Sequence, residues 1–417
     1  MNNWRKYSLE DLAFYYNGKA FKPSDWKKEG VKIIRIEQLN NPDGFCDFYQ
    51  GEFAEINKVE NGDLLFSWSA TLKVLIWKHG NAVLNQHLFK VVPKQFVDKH
   101  FLFFLLDYNM EKIGDTSHGS TMKHIKRGEL EKFFVQVPDK PEQHQIATIL
   151  STADAVIEKT QAAIAKYKAI KQGMLQDLFT RGIDITTGKL RPSHQDAPEL
   201  YKESKLGWIP SEWSEEIFGE QIELVHGHQF RNYDFTEFGV AVVKIGQVKP
   251  ENVDLANCSF VSADRMEEFR NETIRNGDVL MALTGATLGK ACLVSGLSSP
   301  VLQNYLVGRF EPKIKGNDID KNYLYYTLTA GELLNQIFNK VNSGAQGNIG
   351  KADFEKAFFK KPPFTEQKLI AERLNSLNKK LQTEQDFLQK QQQIKAGLMN
   401  DLLSGKKKVK IKENQMA

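Results

Sequence analysis

Cysteine is scarce in this chain. Three occur among 417 residues (Cys46, Cys258 and Cys292), and no two form a Cys-x-x-Cys pair. An odd, scattered set argues against a disulfide framework and against a cysteine zinc site, leaving buried or incidental thiols. Long apolar runs are missing too. The densest, Phe101 to Leu106, ends at Asp107, well short of the ~18–20 residues that cross a bilayer. The opening Met1-Asn-Asn-Trp-Arg-Lys6 lacks the apolar stretch of a signal peptide. The cytoplasm is therefore the expected location, with no membrane partner. Nor is there a large excess of one charge: 56 Lys and Arg stand against 52 Asp and Glu, a net +4. That balance permits a nucleic-acid partner without requiring one, so any DNA contact must come from local placement of charge.

What is present is an ordinary globular composition, 41% apolar and 26% charged. At ~150 residues per domain, two or three domains are expected. The chain also repeats itself. Val31-Lys-Ile-Ile-Arg-Ile-Glu-Gln-Leu39 matches Val240-Ala-Val-Val-Lys-Ile-Gly-Gln-Val248 at an offset of 209 residues. Gly18–Lys22 matches Gly227–Arg231, and Trp4 falls on Trp213, at the same offset. Asn61-Gly-Asp63 matches Asn276-Gly-Asp278 at 215, Leu84–Leu88 matches Leu302–Leu306 at 218, and Lys171–Leu178 matches Lys395–Leu402 at 224. The order is kept and the offset only grows, which marks a duplicated unit with insertions in the second copy.

Each copy has two parts. The first is mixed. Val31–Ile36 and Val240–Ile245 are β-branched runs that predict strands, and Asn-Gly-Asp is turn chemistry leading into Leu64–Phe66 or Val279–Met281. Lys99–Tyr108 and Tyr323–Thr329 look like short buried helices, with strand as the alternative. The second part is a long helix. Pro141-Glu142 and Pro363-Phe-Thr-Glu366 are start signals, and Gly182 and Gly405 are stops. Apolar positions alternate at spacings of four and three through Ile146, Leu150, Ile157, Ile164 and Leu178, and again through Ile370, Leu374, Leu381, Leu388 and Leu402. This coiled-coil period runs for about five heptads. A helix of ~38 residues is roughly 57 Å long. A narrow apolar stripe needs a partner, and the other copy supplies one. The polar seam positions Thr160, Lys171, Glu384, Gln391 and Lys395 either set register or are simply tolerated. The predicted fold class is α+β: two pseudo-symmetric α/β domains, residues 1–140 and 211–362, separated by an antiparallel two-helix coiled coil of residues 141–182 and 363–404. Residues 183–210 read as a linker and 405–417 as a basic tail.

Two diverged units on a rigid spacer suit the reading of two sites on a duplex. The Gly-containing loop Ser117–Arg127 holds Ser120, Thr121, Lys123, His124, Lys126 and Arg127. Its equivalent, Ser343–Lys351, holds Gln346, Asn348 and Lys351. Small hydroxyl and amide groups beside Lys or Arg suit phosphate and base-edge contacts, against the alternative of a solvated loop. Trp68–Lys73 and Thr284–Lys290, with Lys73 and Lys290, form a second pair of candidate loops. Gln38 and Gln247 end matching strands, where each either reads a base edge or caps the strand.

Reaction motifs fail on inspection. Lys361-Pro-Pro-Phe364 has the outline of the Asn/Asp-Pro-Pro-Tyr/Phe motif of amino-methyltransferases, but lysine offers no acceptor for the target amino group. Gly285-Ala-Thr-Leu-Gly-Lys290 is one residue short of a phosphate loop and lacks the following Ser or Thr. Glu366-Gln-Lys368 is twinned with Glu142-Gln-His144 at the other helix start, and the histidines show no metal spacing. No catalytic residue and no metal ligand is assigned.

Taken together, the chain resembles the specificity subunits of type I restriction-modification enzymes over essentially its whole length. The stretches carrying the resemblance are Gly207-Trp-Ile-Pro-Ser-Glu-Trp213, Glu142-Gln-His-Gln-Ile-Ala147, Glu366-Gln-Lys-Leu-Ile-Ala371 and Lys171-Gln-Gly-Met-Leu-Gln-Asp-Leu-Phe179. The resemblance implies two target-recognition domains that bind a bipartite, asymmetric site on double-stranded DNA, with an unread gap between the halves. It implies two methyltransferase subunits recruited through the helices and ATP-dependent restriction subunits added to them. It also implies no cofactor in this chain: S-adenosylmethionine, ATP and Mg would be bound by those partners, and this chain would be non-catalytic. The alternatives are a coiled-coil scaffold or a DNA-binding protein not linked to methylation, and a self-sufficient methyltransferase or nuclease.

Overall fold

The computed structural model describes residues 4–68, 71–115, 127–250, 252–313, 319–338 and 348–409. It divides into two compact units, Met1–Ala163 with Glu384–Ala417, and Ile164–Thr383. The fold is mixed helix and sheet. Each unit takes part of the central helix, Lys140–Thr180, and part of the C-terminal helix, Phe364–Leu403.

In the first unit, one antiparallel sheet has the order Ala13–Asn17, Leu88–Pro93, Leu64–Ser67, Lys73–Ile76. A second has the order Phe48–Tyr49, Val31–Ile34, Ala82–Leu84, Lys58–Val59, with a parallel pair at its centre. The edge strand Ala13–Asn17 alternates, with Ala13 and Tyr15 buried and Phe14 and Tyr16 exposed, as a strand with one covered face must. Leu64–Ser67 does not alternate, because both faces are covered. Leu64 and Phe66 join one core, while Leu65 joins another with Trp77 and Leu88.

The second unit repeats this plan. Its sheets have the orders Ile222–His226, Val307–Pro312, Val279–Ala282, Ala291–Leu293 and Phe235–Thr236, Ser259–Val261, Val240–Val243, Val301–Gln303, Thr273–Ile274. Val279 and Met281 face one core, Leu280 and Ala282 the other. The unbroken apolar runs Leu64–Phe66 and Val279–Ala282 are therefore strands between two cores.

The hydrogen bonds correct one alignment. Ile33 pairs with Val83 in the first unit and Val242 with Leu302 in the second, which puts Leu84 on Gln303 and Leu88 on Val307, an offset of 219 rather than 218. Two leucines four residues apart suggest the wrong match. The ladder is instead set by Asn85, whose N–H donates to the Ile34 carbonyl (3.0 Å), and by Asn304, which donates to Val243 (3.1 Å). A slip of one residue would send every side chain to the opposite face.

The candidate short helices are helices, Lys99–Asp115 and Lys321–Thr329. Asp98 caps the first by accepting from the His100 and Phe101 N–H groups, and Asp320 caps the second by accepting from Asn322 and Tyr323. The repeated Glu-Gln at each long-helix start ties these parts together. The Gln143 amide oxygen accepts from the Asp98 N–H at 2.8 Å and that of Gln367 from the Asp320 N–H at 3.0 Å. The Trp4 indole donates to Glu142 at 3.2 Å, and Trp213 to Glu366 at 3.0 Å.

Seven of the ten apolar seam positions are buried: Ile146, Leu150, Ile164, Leu178, Ile370, Leu374 and Leu402. Ile157, Leu381 and Leu388 are half-buried. Within the first unit, Ile146 and Leu150 share a core with Leu402, and the seam residue Lys395 pairs with Asp154 at 2.5 Å. Within the second, Leu178 and Phe179 share a core with Ile370 and Leu374. In each unit the start of one helix thus lies against the end of the other. Gly182 and Gly405 take φ of +64° and +72° just past the helix ends, the left-handed conformation that glycine adopts without a Cβ penalty.

Residues 183–210, read as a linker, carry a β-hairpin of Tyr201–Ser204 with Gly207–Pro210, and Ile183 and Ile209 enter the second unit's core. Among the described residues no helix is long and apolar enough to cross a membrane.

Candidate nucleic-acid interface

Ser120, Thr121, Lys123, His124, Lys126 and Gln346 lie outside the described residues, as does the side chain of Arg127, whose backbone opens a short helix, Arg127–Lys132. The second unit describes the neighbouring candidates. Its strand Val279–Ala282 runs on through Leu283, whose carbonyl accepts from the Ile349 N–H at 2.9 Å. Thr284 and Asn348 form a bridge there, with the Thr284 hydroxyl donating to the Asn348 side-chain oxygen. Residues 283–284 are thus joined to 348–349, in the described part of the second candidate loop. Asn348 is exposed, and Lys351 stands 3.6 Å from Glu223.

Lys73 and Lys290 occupy equivalent places. Ser67 pairs with Lys73, and the Ala282 N–H donates to the Lys290 carbonyl at 2.9 Å. Their ammonium groups do different things. The Lys73 Nζ donates to the Leu39 carbonyl at 2.6 Å and to the Asn40 side chain at 3.1 Å. Lys290 is exposed beyond a loop two residues longer. A cation already spent on a carbonyl is a poorer phosphate contact than one in solvent.

Gln38 and Gln247 sit in short helical turns just after their strands. Their side-chain oxygens accept from the Arg35 N–H (3.0 Å) and the Lys244 N–H (3.2 Å). Gln38 is 2% exposed, and its amide also donates to the Phe45 carbonyl. Base-edge contact by Gln38 would require giving up both bonds. Two arginines of the second unit are similarly committed. Arg309 donates to the carbonyls of Thr273 and Asn271, and Arg265 pairs with Asp234 and Glu268. The Arg231 backbone N–H, and then Arg265, hold the Asp234 carboxyl below the usual carboxylate range.

A turn that the sequence reading did not single out adjoins these loops. In both copies it begins at an asparagine, Asn85 or Asn304, whose side-chain oxygen accepts from the N–H two residues on at 3.3 Å. It packs over a glycine: a Cβ on Gly18 would lie 2.2 Å from the Asn85 carbonyl oxygen, and one on Gly227 2.0 Å from that of Gln303. The signal was present in the repeated glycine and asparagine, but the 218 offset concealed it.

A sequence model of the type I restriction modification DNA specificity domain matches residues 1–167 and 232–396. The chain belongs to that family, the DNA specificity subunits of type I restriction-modification systems. Among curated relatives, the MjaVIII specificity subunit of Methanocaldococcus jannaschii is 26% identical, over 98% of this chain and 94% of the relative. The EcoBI specificity subunit of Escherichia coli is 24% identical, over 90% and 79%. Among solved structures, the S subunit of a type I system from M. genitalium superposes with a TM-score of 0.63 at 16% identity, over 96% of both chains. A chain from structural work on complex assembly and conformational transition of the type I R-M system gives a TM-score of 0.51 at 14% identity, over 96% of this chain and 98% of that one. These structures share the fold.

Proposed function

We propose that each unit reads one half of a split, asymmetric site on double-stranded DNA, and that the helices recruit two methyltransferase subunits, to which ATP-dependent restriction subunits are added. In this reading the chain supplies no catalytic group. S-adenosylmethionine, ATP and Mg are bound by those partners, and the complex works in the cytoplasm. One observation carries the reading. The same scaffold occurs twice with different outward residues at matched places, such as the exposed His87 in the first unit and the exposed Leu306 in the second. A scaffold kept in duplicate while its surface letters diverge suits two sensors of different words. A good bidentate base contact contributes ~1–3 kcal/mol of discrimination.

The test has two parts. The full chain is used to select from a randomised DNA duplex library, and a two-part motif with a constant gap is expected. The chain is then mixed with a type I methyltransferase subunit from the same host, and labelled methyl groups are followed. Transfer is expected at the selected motif only with both proteins present. Methyl transfer by the chain alone, or selection of no motif, would overturn the proposal.

A further inference from the structure

The turn over Gly18 and Gly227 has a frame common to both copies. Beyond the asparagine bonds, the residue after each asparagine donates its N–H back to the strand-end partner: Gln86 to the Lys19 carbonyl at 3.0 Å, and Tyr305 to the His228 carbonyl at 2.9 Å. The turn closes where Leu88 donates to Asn85 and Val307 to Asn304, both at 3.0 Å. The two residues displayed between these bonds are Gln86-His87 in the first unit and Tyr305-Leu306 in the second.

A second turn, whose asparagine is exposed in both copies, contrasts with it. Asn61-Gly-Asp63 and Asn276-Gly-Asp278 keep their letters in both copies, because those letters make internal bonds. The Asn61 side chain accepts from Gly80 at 2.8 Å and Asn276 from Leu297 at 2.9 Å, while Asp63 and Asp278 accept from Glu60 and Arg275. At the Asn85 and Asn304 turn, only the frame residues are kept.

What this turn displays is not ordinary solvated-turn chemistry. Tyr305 is 45% exposed and stacks on His226, with ring centroids 4.9 Å apart and planes 24° apart. Leu306 is 40% exposed, and its carbonyl accepts from the Leu283 N–H at 3.0 Å, next to the Thr284–Asn348 junction. In the first unit, His87 is exposed with its ring 5.7 Å from that of Trp68. The Gln86 side-chain oxygen is buried without a hydrogen-bond partner among the described residues. A pre-stacked tyrosine and a leucine suit apolar base surface such as a thymine methyl, whereas the His87 imidazole and the Gln86 amide nitrogen suit hydrogen-bonding base edges.

Resting on the proposed reading of DNA by both units, we infer that this turn is a specificity-determining element in each of them, with Gln86 and His87 contacting one half-site and Tyr305 and Leu306 the other. The same hydrogen-bonded frame holds two interchangeable positions in each unit, so a unit changes its word without changing its fold.

The test is selection from the randomised duplex library with the full chain and with the variants Gln86→Ala, His87→Ala, Tyr305→Ala and Leu306→Ala. The first two are expected to relax one part of the motif and the last two the other. Preference at one or two base pairs should fall tenfold or more, with the untouched part retained as proof of folding. Wild-type motifs kept by all four variants would overturn the role of the turn while leaving DNA reading intact. Loss of both parts together in any variant would make the turn scaffold and also overturn it. Failure of the wild-type chain to select a motif would remove the proposed function and this inference with it.

Discussion

Glu366 is fully buried at the start of the C-terminal helix and accepts four hydrogen bonds. Two come from Arg191 (2.5 and 3.0 Å), one from the Ile183 N–H (2.7 Å) and one from the Trp213 indole (3.0 Å). Removing Arg191 leaves a carboxylate out of water with only two neutral donors. Breaking a buried pair in this way costs ~3–5 kcal/mol. The two remaining donors place Arg191→Met at the lower end, about 3 kcal/mol. Glu366→Gln costs less, about 2 kcal/mol, because Arg191 also holds the more exposed Glu212. In the double variant neither charge is stranded, so the effects fall short of additive by about 2–3 kcal/mol. The assay is urea unfolding of the full chain. With a slope of about 3 kcal/mol/M for a unit of this size, Arg191→Met lowers the midpoint of the second unit by about 1 M. Hydrogen exchange of the Ile183 amide gives a local readout and should accelerate in the same variant. Singles within 0.5 kcal/mol of the parent, or a strictly additive double, would refute this view of Glu366 as the buried knot of its unit.

Three further outcomes are expected. Lys290→Ala should weaken DNA binding uniformly across sequences and reduce the salt slope by about 1, whereas Lys73→Ala should leave the slope unchanged and cost about 1–2 kcal/mol in urea through its lost backbone bond; equal slopes for Lys290→Ala and the parent would count against the first. Burial, and next Asp139, raise the Glu142 carboxyl above 4.5, with the Trp4 indole and Lys408 opposing. Since the folded value lies above the unfolded one, stability from this group is present below about pH 4.5 and is lost as pH rises through the folded value. The stability of Glu142→Gln relative to the parent should therefore rise between pH 4 and pH 7, and a constant difference in urea midpoint would contradict the sign. Gly227→Ala should destabilise by about 1–3 kcal/mol, because its Cβ meets the Gln303 carbonyl and backbone must move; an unchanged midpoint would show that the turn has slack.

Much of the architecture was legible because it is written in local periods. The seam of Ile146, Leu150 and their successors is a spacing rule, and its burial follows from that rule. The duplication was legible because strands and turns such as Asn61-Gly-Asp63 keep letters wherever side chains bond to their own neighbourhood. The interface was less so. Lys73 and Lys290 were both marked as loop cations, and nothing in their surroundings separates one bonded to Leu39 from one in solvent. Gln38 was marked as a strand end, yet its amide closes a local turn. The Trp4–Glu142 and Trp213–Glu366 ties join residues 138 and 153 positions apart. Their letters recur in both copies, but a helix-start carboxylate already has a sufficient local explanation in the helix dipole.

By itself the sequence determined that there are two copies of one mixed unit, each followed by a helix with a single apolar stripe, and that the copies differ on their surfaces. Periodicity, turn chemistry and repetition act over a few residues and survive in the order of letters. Only the tertiary structure decided the 219-residue register, which lysine turns inward, and which turn brings Tyr305 and Leu306 beside Thr284 and Asn348. Those outcomes depend on sheet pairing and helix docking between distant segments, where a shift of one residue exchanges the buried face for the exposed one.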